Sequence, residues 1–333
     1  MLNVAIIGLG RWGQTLVASV QEKSDLLRFT TGATGSRAKA EAFAAGAGIT
    51  LKDSYEEVLA DPAVEAVVLA TPHLQHAAQI EAAARAGKHV FVEKPFTMSK
   101  ASAEAAVAAS EAAGITLALG HNRRFHPHMQ RLRALVRGGE LGTILHCHAE
   151  LSSPTGLFLP KGVWRTDPEQ SPAGGMTGLG IHLVDSMIDL FGAIEAVACQ
   201  SVNRVAPSGA EDTTSVMLRF ASGQTGTLLA FTATAPVFRF SAYGAKGVAS
   251  ITTPTLGGFS LEPAPTAPGQ PAPAATHETL AGFDTLHAEL EAFARAVRGQ
   301  APYPIPPADM IHGVAVLEAI VAAVGRDRFV PVA

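Results

Sequence analysis

Short apolar runs alternate with segments rich in alanine and glutamate over the first 120 residues. Such runs are typical of strands buried on both faces of a parallel sheet. They predict strands at Leu2–Ile7, Leu27–Thr31, Ala66–Ala70, His89–Glu93 and Thr116–Leu119. The segments between them predict helices at Gln14–Glu22, Ser36–Ala47, Leu74–Ala86 and Ser99–Ala113. Right-handed crossovers join such elements into an α/β, doubly wound parallel sheet of the Rossmann type, which binds ligands beyond the carboxyl ends of its strands.

After Gly120 the segments alternate in polarity or are rich in threonine, valine and phenylalanine. They predict strands at Thr143–Leu151, Val197–Val202, Thr213–Phe220, Thr225–Thr232 and Phe238–Tyr243. Helices are predicted at Pro127–Arg137, Leu286–Arg298 and Ala308–Val324. Strands that follow one another without regular helices indicate an α+β domain with a large, mostly antiparallel open sheet. The five prolines within Glu262–Ala275 predict a surface loop.

A glycine pattern follows the first predicted strand, with Gly8, Gly10 and Gly13 enclosing Arg11 and Trp12. In a strand–turn–helix context the first glycine permits a tight turn and the second lets the backbone approach a pyrophosphate. The third allows the helix to pack closely on the strand. The pattern predicts a dinucleotide-binding domain at residues 1–121 and a substrate-binding and oligomerisation domain at residues 122–333.

Composition narrows the class of protein further. The 333 residues are 47% hydrophobic and 16% charged, which is enough for two large cores. The net charge of −4 and the absence of Lys/Arg runs argue against a nucleic-acid or anionic-membrane partner. No apolar stretch is long enough to span a membrane, and the start of the chain enters a strand directly, so we expect no signal peptide. Two cysteines, Cys147 and Cys199, fit a reducing cytoplasm.

Lys94 is the leading candidate for catalysis. It stands between Glu93 and Pro95 at the end of a predicted buried strand, where a lysine can reach a bound nicotinamide ring. Hydride transfer to or from an alcohol carbon requires a group that exchanges the hydroxyl proton and a group that holds the oxygen. Desolvation and a nearby positive ring would both lower the pKa of a lysine placed there.

Several motifs together carry a family resemblance. They are Gly8–Gly13, Ala70-Thr71-Pro72-His73 with His76, Ala86–Val90, Glu93-Lys94-Pro95, Asn122–Phe125, Trp164-Arg165, Gly174-Gly175, Gly180-Ile181-His182, Asp185 and Val316–Ala319. The chain resembles the glucose–fructose oxidoreductase / inositol dehydrogenase / MocA (Gfo/Idh/MocA) family over essentially its whole length. The resemblance implies an NAD(P)-dependent oxidoreductase that acts on a secondary alcohol or ketone of a sugar, polyol or cyclic diol. It also implies that Lys94 lies near the nicotinamide and that the second sheet serves as an oligomer interface.

The resemblance and the motifs together assign the candidate site. We expect Lys94 to act as general acid/base and His182 to position the substrate oxygen or relay its proton. The expected cofactor contacts are Gly8, Gly10, Arg11, Trp12, Gly13, Thr34, Ser36, Arg37, Thr71, Pro72, His76, Glu93, Lys94 and Asn122. The expected substrate contacts are Lys94, Asn122, Trp164, Arg165 and His182. Phe158, in the loop Ser152–Gln170, is a further pocket candidate. For Arg123 and Arg124, ion pairs between the domains are the alternative to a ligand contact.

Gly178 departs from the family pattern, in which an aspartate usually stands four residues before the histidine. Either Lys94 and His182 suffice, or another carboxylate enters, or the usual reaction is not catalysed. Asp185 is a candidate carboxylate, and a packing role in its helix is equally compatible with its position. The departure keeps two alternatives open: a non-catalytic NADP(H)-binding sensor or regulatory protein, and an enzyme that recycles its nicotinamide while cleaving glycosides or epimerising.

The sequence also bears on the cofactor, on metals and on assembly. A carboxylate at the end of the second strand is typical of NAD-specific sites, but no carboxylate follows this strand until Glu41. Ser36 and Arg37 suit a 2′-phosphate instead, so NADP(H) is the predicted preference and NAD(H) the alternative. His146 and His148 face one side of a predicted strand and Cys147 the other, so we expect no metal site. A sheet with few helices to cover it predicts a homodimer or homotetramer.

Overall fold

A computed structural model describes all residues, 1–333. The chain packs as two compact units, one formed by Met1–Asn122 with Asp284–Val314 and the other by Arg123–Phe283 with Ala315–Ala333. The sequence predicts a second domain from residue 122 to the end of the chain, which would include Asp284–Val314. In the structure its apolar side chains, such as Phe293 and Ile305, lie in the cores of the first unit. The sequence contains no local signal for this return of the chain.

The first unit is built on a six-stranded parallel sheet. Its strands are β1 (Leu2–Ile7), β2 (Leu27–Ala33), β3 (Thr50–Leu51), β4 (Ala66–Leu69), β5 (His89–Glu93) and β6 (Leu117–Gly120). Its helices are α1 (Arg11–Val20), α2 (Arg37–Gly46), α3 (Tyr55–Ala60), α4 (His76–Arg85), α5 (Lys100–Ala112) and α8 (Thr285–Val297). The spatial order is β3-β2-β1-β4-β5-β6, so the direction of strand addition reverses between β1 and β4. This is the position where doubly wound sheets bind dinucleotides.

Both faces of this sheet are buried, as the unbroken apolar runs predicted. In β1, Val4 and Ile6 belong to one core and Ala5 and Ile7 to the other. Successive side chains of a strand point to opposite faces, so helices must cover both sides. The short elements β3 and α3 were not predicted from the sequence.

The second unit contains a nine-stranded sheet. Its strands are β7 (Ile144–Ser152), β8 (Ile194–Val202), β9 (Thr213–Phe220), β10 (Thr225–Phe231), β11 (Val237–Gly244), β12 (Gly247–Thr252), β13 (Gly258–Pro263), β14 (Thr276–Thr279) and β15 (Val330–Pro331). The order is β14-β13-β12-β11-β7-β10-β9-β8-β15, and every pair is antiparallel except β7 with β10. The predicted Rossmann sheet followed by a mostly antiparallel sheet is therefore confirmed.

One face of the large sheet carries the core of the second unit. The helices here are α6 (Pro127–Arg137) and α7 (Gly180–Phe191), and α9 (Pro307–Ala323) spans the division between the units. Every residue of α7 is buried, and Phe191 stacks on Phe240 of β11. Strands β12, β13 and β14 were not predicted because glycine, serine and proline interrupt their apolar pattern. No helix combines the length and the apolar character that crossing a bilayer requires.

Candidate active site

The glycine turn between β1 and α1 has the shape that a pyrophosphate requires. Gly8 has a φ of +95°, and an added Cβ there would lie 2.5 Å from the carbonyl oxygen of Ala70. A Cβ at Gly13 would lie 2.0 Å from the carbonyl oxygen of Gly8, so close packing requires glycine. A Cβ at Gly10 would meet nothing within 4 Å, and no side chain caps α1 there. The turn thus leaves open space in front of the first amide groups of a helix, which is the setting in which helices bind phosphates.

Strand β5 delivers Glu93 and Lys94 to the carboxyl edge of the sheet. Val90, Phe91 and Val92 are fully buried, which fixes the position where the strand ends. Glu93 is also buried, and its Oε2 accepts a hydrogen bond of 3.3 Å from the backbone N–H of Lys94. The side chain of Trp12, from the first turn of α1, also hydrogen-bonds to this carboxyl group. Burial raises the pKa of Glu93, and the positive charge of Lys94 opposes that rise.

His76 supports the turn that follows Lys94. The imidazole is fully buried, with Nδ1 2.9 Å from the carbonyl oxygen of Pro95 and Nε2 3.1 Å from that of Thr71. Burial lowers the pKa of His76, which favours the neutral ring, and a neutral ring donates from one nitrogen only. Both ring nitrogens of His76 face carbonyl oxygens of the protein, and its expected contact with the cofactor stays a prediction.

The end of β2 carries the residues expected near an adenosine ribose. The backbone N–H of Ser36 lies 3.4 Å from Oγ1 of Thr34. Arg37 pairs with Asp53 at 2.5 Å and with Glu41 at 3.4 Å, and all three side chains are largely exposed. Asp53 was not anticipated, because it is distant in sequence and is brought to Arg37 by the pairing of β3 with β2. Exposed ion pairs contribute about 0–1 kcal/mol each, so a ligand phosphate can compete with these carboxylates for Arg37.

Asn122 hydrogen-bonds within the first unit. Its side-chain amide donates to Oγ1 of Thr285 at 2.7 Å, which links the end of β6 to the start of α8. From the sequence, Asn122 is expected to contact the cofactor and the substrate. The observed bond assigns it a structural partner, and the ligand contacts stay predictions.

His182 lies in the first turn of α7 in the second unit and is buried. Gly178, four residues earlier, is exposed, and an added Cβ there would meet nothing within 4 Å. A side chain at this position would therefore meet no steric obstacle at its Cβ. The position where the family pattern has a carboxylate contains open space in this chain.

Asp185 is engaged in a buried ion pair. Nε of Arg124 lies 2.9 and 3.0 Å from its two carboxylate oxygens, and Nη2 lies 2.7 Å from one of them. Burial raises the pKa of Asp185, and the Arg124 guanidinium counteracts that rise. Asp189 also pairs with Arg124, at 3.3 Å. Asp185 and Asp189 belong to the same unit as Arg124, so these two pairs lie within the second unit, and an ion pair of Arg124 between the domains stays a prediction.

The remaining candidates of the second unit lie on a loop and on the sheet. The Arg165 guanidinium lies 4.2 Å from the centre of the Trp164 ring, so the two side chains form one stacked surface. Phe158, in the same loop, is 78% exposed. His146 and His148 hydrogen-bond to the hydroxyl groups of threonines in β10, at 2.8 to 3.2 Å. No group of three or more His, Cys, Asp or Glu side chains is arranged to hold a metal ion.

Family models match most of the chain. Residues 2–121 match the model of an oxidoreductase family with an NAD-binding Rossmann fold, and residues 129–250 match the GFO/IDH/MocA C-terminal domain. The chain belongs to the Gfo/Idh/MocA family of oxidoreductases. The resemblance seen in the sequence motifs is confirmed, and the NAD-binding description agrees with the open glycine turn.

Curated relatives match over part of their length. Mouse trans-1,2-dihydrobenzene-1,2-diol dehydrogenase is 34% identical over 173 residues, which are 52% of this chain and 50% of the relative. The uncharacterized oxidoreductase YrbE of Bacillus subtilis is 30% identical over 226 residues, which are 66% of this chain and 63% of the relative. The matched region therefore spans from half to somewhat under two thirds of these proteins.

Solved structures match over nearly the whole chain. An oxidoreductase from Desulfitobacterium hafniense, provisionally described as NADPH-dependent, superposes with a TM-score of 0.89 at 26% identity, covering 99% of this chain and 97% of that one. Levoglucosan dehydrogenase, in complex with NADH and levoglucosan, gives a TM-score of 0.87 at 20% identity, covering 100% and 99%. At that identity the second likeness shows the fold alone.

Proposed function

We propose that this protein is an NAD(P)-dependent dehydrogenase or reductase that acts on a secondary alcohol or ketone of a sugar, polyol or cyclic diol. The observation that carries the proposal is the combination of an open glycine turn with Lys94 at the end of β5, on one edge of the same sheet. The relatives' names, a dihydrodiol dehydrogenase among them, support the substrate class.

Each residue of the proposed site has a defined task. A bound nicotinamide supplies or accepts the hydride. Lys94 exchanges the proton of the substrate hydroxyl, and His182 holds the substrate oxygen by a hydrogen bond. Asn122, Trp164 and Arg165 complete the proposed substrate contacts, with the stacked Trp164–Arg165 surface suited to a sugar or a carboxylated ring.

The function is tested by following nicotinamide absorbance with a panel of polyols, inosose-like ketones and cyclic diols. Turnover of either cofactor with a member of the panel supports the proposal. The alternative of a non-catalytic NADP(H) sensor is favoured by Gly178, which supplies no proton-transfer group. That alternative predicts a thermal shift with the cofactor and no turnover with any substrate. An enzyme that recycles its nicotinamide would convert substrate with no net change in absorbance.

We expect Arg37→Ala to weaken NADP(H) binding about tenfold and to leave NAD(H) binding nearly unchanged. A hydrogen bond to a charged group contributes about 1.5–3 kcal/mol, more than the exposed pairs of Arg37 with Asp53 and Glu41. Calorimetric titration with all four nucleotides provides the measurement. Arg85→Ala is the matched control, because Arg85 is also exposed and pairs with Glu81.

Asp53→Asn extends this test of cofactor choice. If Asp53 competes with a 2′-phosphate for Arg37, its neutral analogue should bind NADPH more tightly than the wild type does. Wild-type protein that binds NADH as tightly as NADPH or more tightly, with no change in Arg37→Ala, would refute the NADP(H) preference.

We further expect a homodimer or homotetramer formed through the open face of the large sheet. That face mixes polar groups such as His148 with the partly or largely exposed apolar side chains of Met217 and Leu229. Light scattering at micromolar concentration should give at least twice the chain mass, and Met217→Glu should shift the mass toward the monomer. Leu74→Glu is the control, because Leu74 is a similarly exposed apolar side chain that lies in the first unit. A monomer mass for the wild type would rule out this assembly.

A further inference from the structure

Glu93 is a buried carboxyl group with incomplete hydrogen bonding. It is 5% exposed, and its Oε1 has no hydrogen-bond partner in the protein, although Oε2 accepts from the Lys94 backbone. Burying a charged oxygen without a partner is costly, and folded proteins rarely leave one without a reason. The structural bonds of Glu93 therefore do not account for its position.

The surroundings of Glu93 connect it to the cofactor half of the fold. Trp12, which hydrogen-bonds to its carboxyl group, lies in the first turn of α1, directly after the glycine turn. Gly120 ends the neighbouring strand β6, and a Cβ there would lie 3.1 Å from Oε1. In doubly wound sheets the adenosine lies over the strands on the β2 side of the reversal, so the nicotinamide lies over the β4–β5–β6 side. Glu93 is thus in the half of the sheet that faces the redox-active ring.

We propose that Glu93 discriminates between the oxidised and the reduced cofactor by supplying a buried negative charge beneath the nicotinamide site. The inference rests on the proposed function. Burial favours the protonated form of Glu93, whereas Lys94, Trp12 and a positively charged oxidised ring each favour its carboxylate form. The reduced ring is neutral, so the carboxylate stabilises only the oxidised form. Glu93 is therefore a positioning residue, which acts on the cofactor through its charge.

The test compares the dissociation constants of NAD⁺, NADH, NADP⁺ and NADPH for wild-type protein and Glu93→Gln. We expect Glu93→Gln to weaken binding of the oxidised form on the order of tenfold relative to the reduced form, as expected for loss of one charge at short range in a partly desolvated site. Glu104→Gln is the matched control, since Glu104 is an exposed carboxylate on α5 and should leave the ratio unchanged.

A second variant covers the case in which Glu93→Gln does not fold. Trp12→Phe removes the indole donor but keeps an aromatic ring, so the carboxyl group holds its proton more readily and its charge is reduced. Binding of the oxidised cofactor should then weaken relative to the reduced cofactor, as in Glu93→Gln but by a smaller factor. If the dissociation constants of the oxidised and reduced forms changed equally, or did not change, the role of Glu93 would be overturned and the proposed function would stand. Failure of all four nucleotides to bind the wild type would overturn the proposed function with it.

Discussion

Lys94→Ala is expected to lower turnover by roughly 10²–10⁴-fold, the usual effect of removing a group that transfers a proton in the transition state. Cofactor affinity should change little, because the glycine turn is untouched. Steady-state kinetics on any substrate that shows cofactor turnover, with calorimetric cofactor binding on the same variant, give the two quantities. Lys39→Ala, on α2, is a control lysine away from the carboxyl end of β5.

Lys94→Arg separates charge from proton transfer. Arginine keeps the positive charge but does not release a proton near neutral pH, so this variant should be about as inactive as Lys94→Ala. Activity close to wild type in Lys94→Arg would show that charge is sufficient. Full activity in Lys94→Ala would remove the central role assigned to this lysine.

His182→Ala should lower turnover less than Lys94→Ala does if His182 orients the substrate. The loss should be comparably severe if His182 takes over the task that an aspartate at position 178 would perform.

The apolar pattern was enough to predict five of the six strands of the first unit, because those five are largely buried on both faces, whereas β3 is not buried. The bounds of β1 and β5 are those the sequence predicted. The fingerprint glycines were equally readable from their spacing after the first strand, whereas the close approach of Gly8 to Ala70 is visible only in the folded chain. Strands β12 and β13 were missed because alternate positions hold alanine, serine and glycine, whose burial arises only from pairing with other strands.

Contacts between distant residues explain the other differences. The approach of Asp53 to Arg37 depends on the pairing of β2 with β3, and the bond between Trp12 and Glu93 joins two motifs that the sequence presents separately. The burial of His76 between two carbonyl oxygens is likewise a property of the folded chain, which the motif around it does not reveal. A motif identifies the region of a site more reliably than it identifies the partner of each side chain.

Arg124→Met is expected to destabilise the protein by about 3–5 kcal/mol at neutral pH, because it leaves the buried carboxylate of Asp185 without the guanidinium that pairs with it. Without that charge, burial should raise the pKa of Asp185 still further, so the folded variant retains a proton that the unfolded chain releases. A raised folded-state pKa confers stability that is present at low pH and lost as pH rises. The penalty should therefore be smaller near pH 4, close to the ordinary aspartate pKa, than near pH 7.

Urea denaturation at the two pH values, compared with wild type, measures this penalty. Arg295→Met is the matched control, since its exposed pair with Glu291 should contribute no more than about 1 kcal/mol. The double variant Arg124→Met with Asp185→Leu should recover much of the lost stability, because an apolar pair of similar volume leaves no charge to desolvate at this position. A destabilisation of Arg124→Met that is small, or that is the same at both pH values, would mean that Asp185 does not depend on Arg124 for its charge. In that case the position of α7, and of His182 within it, would not depend on the pair of Arg124 with Asp185.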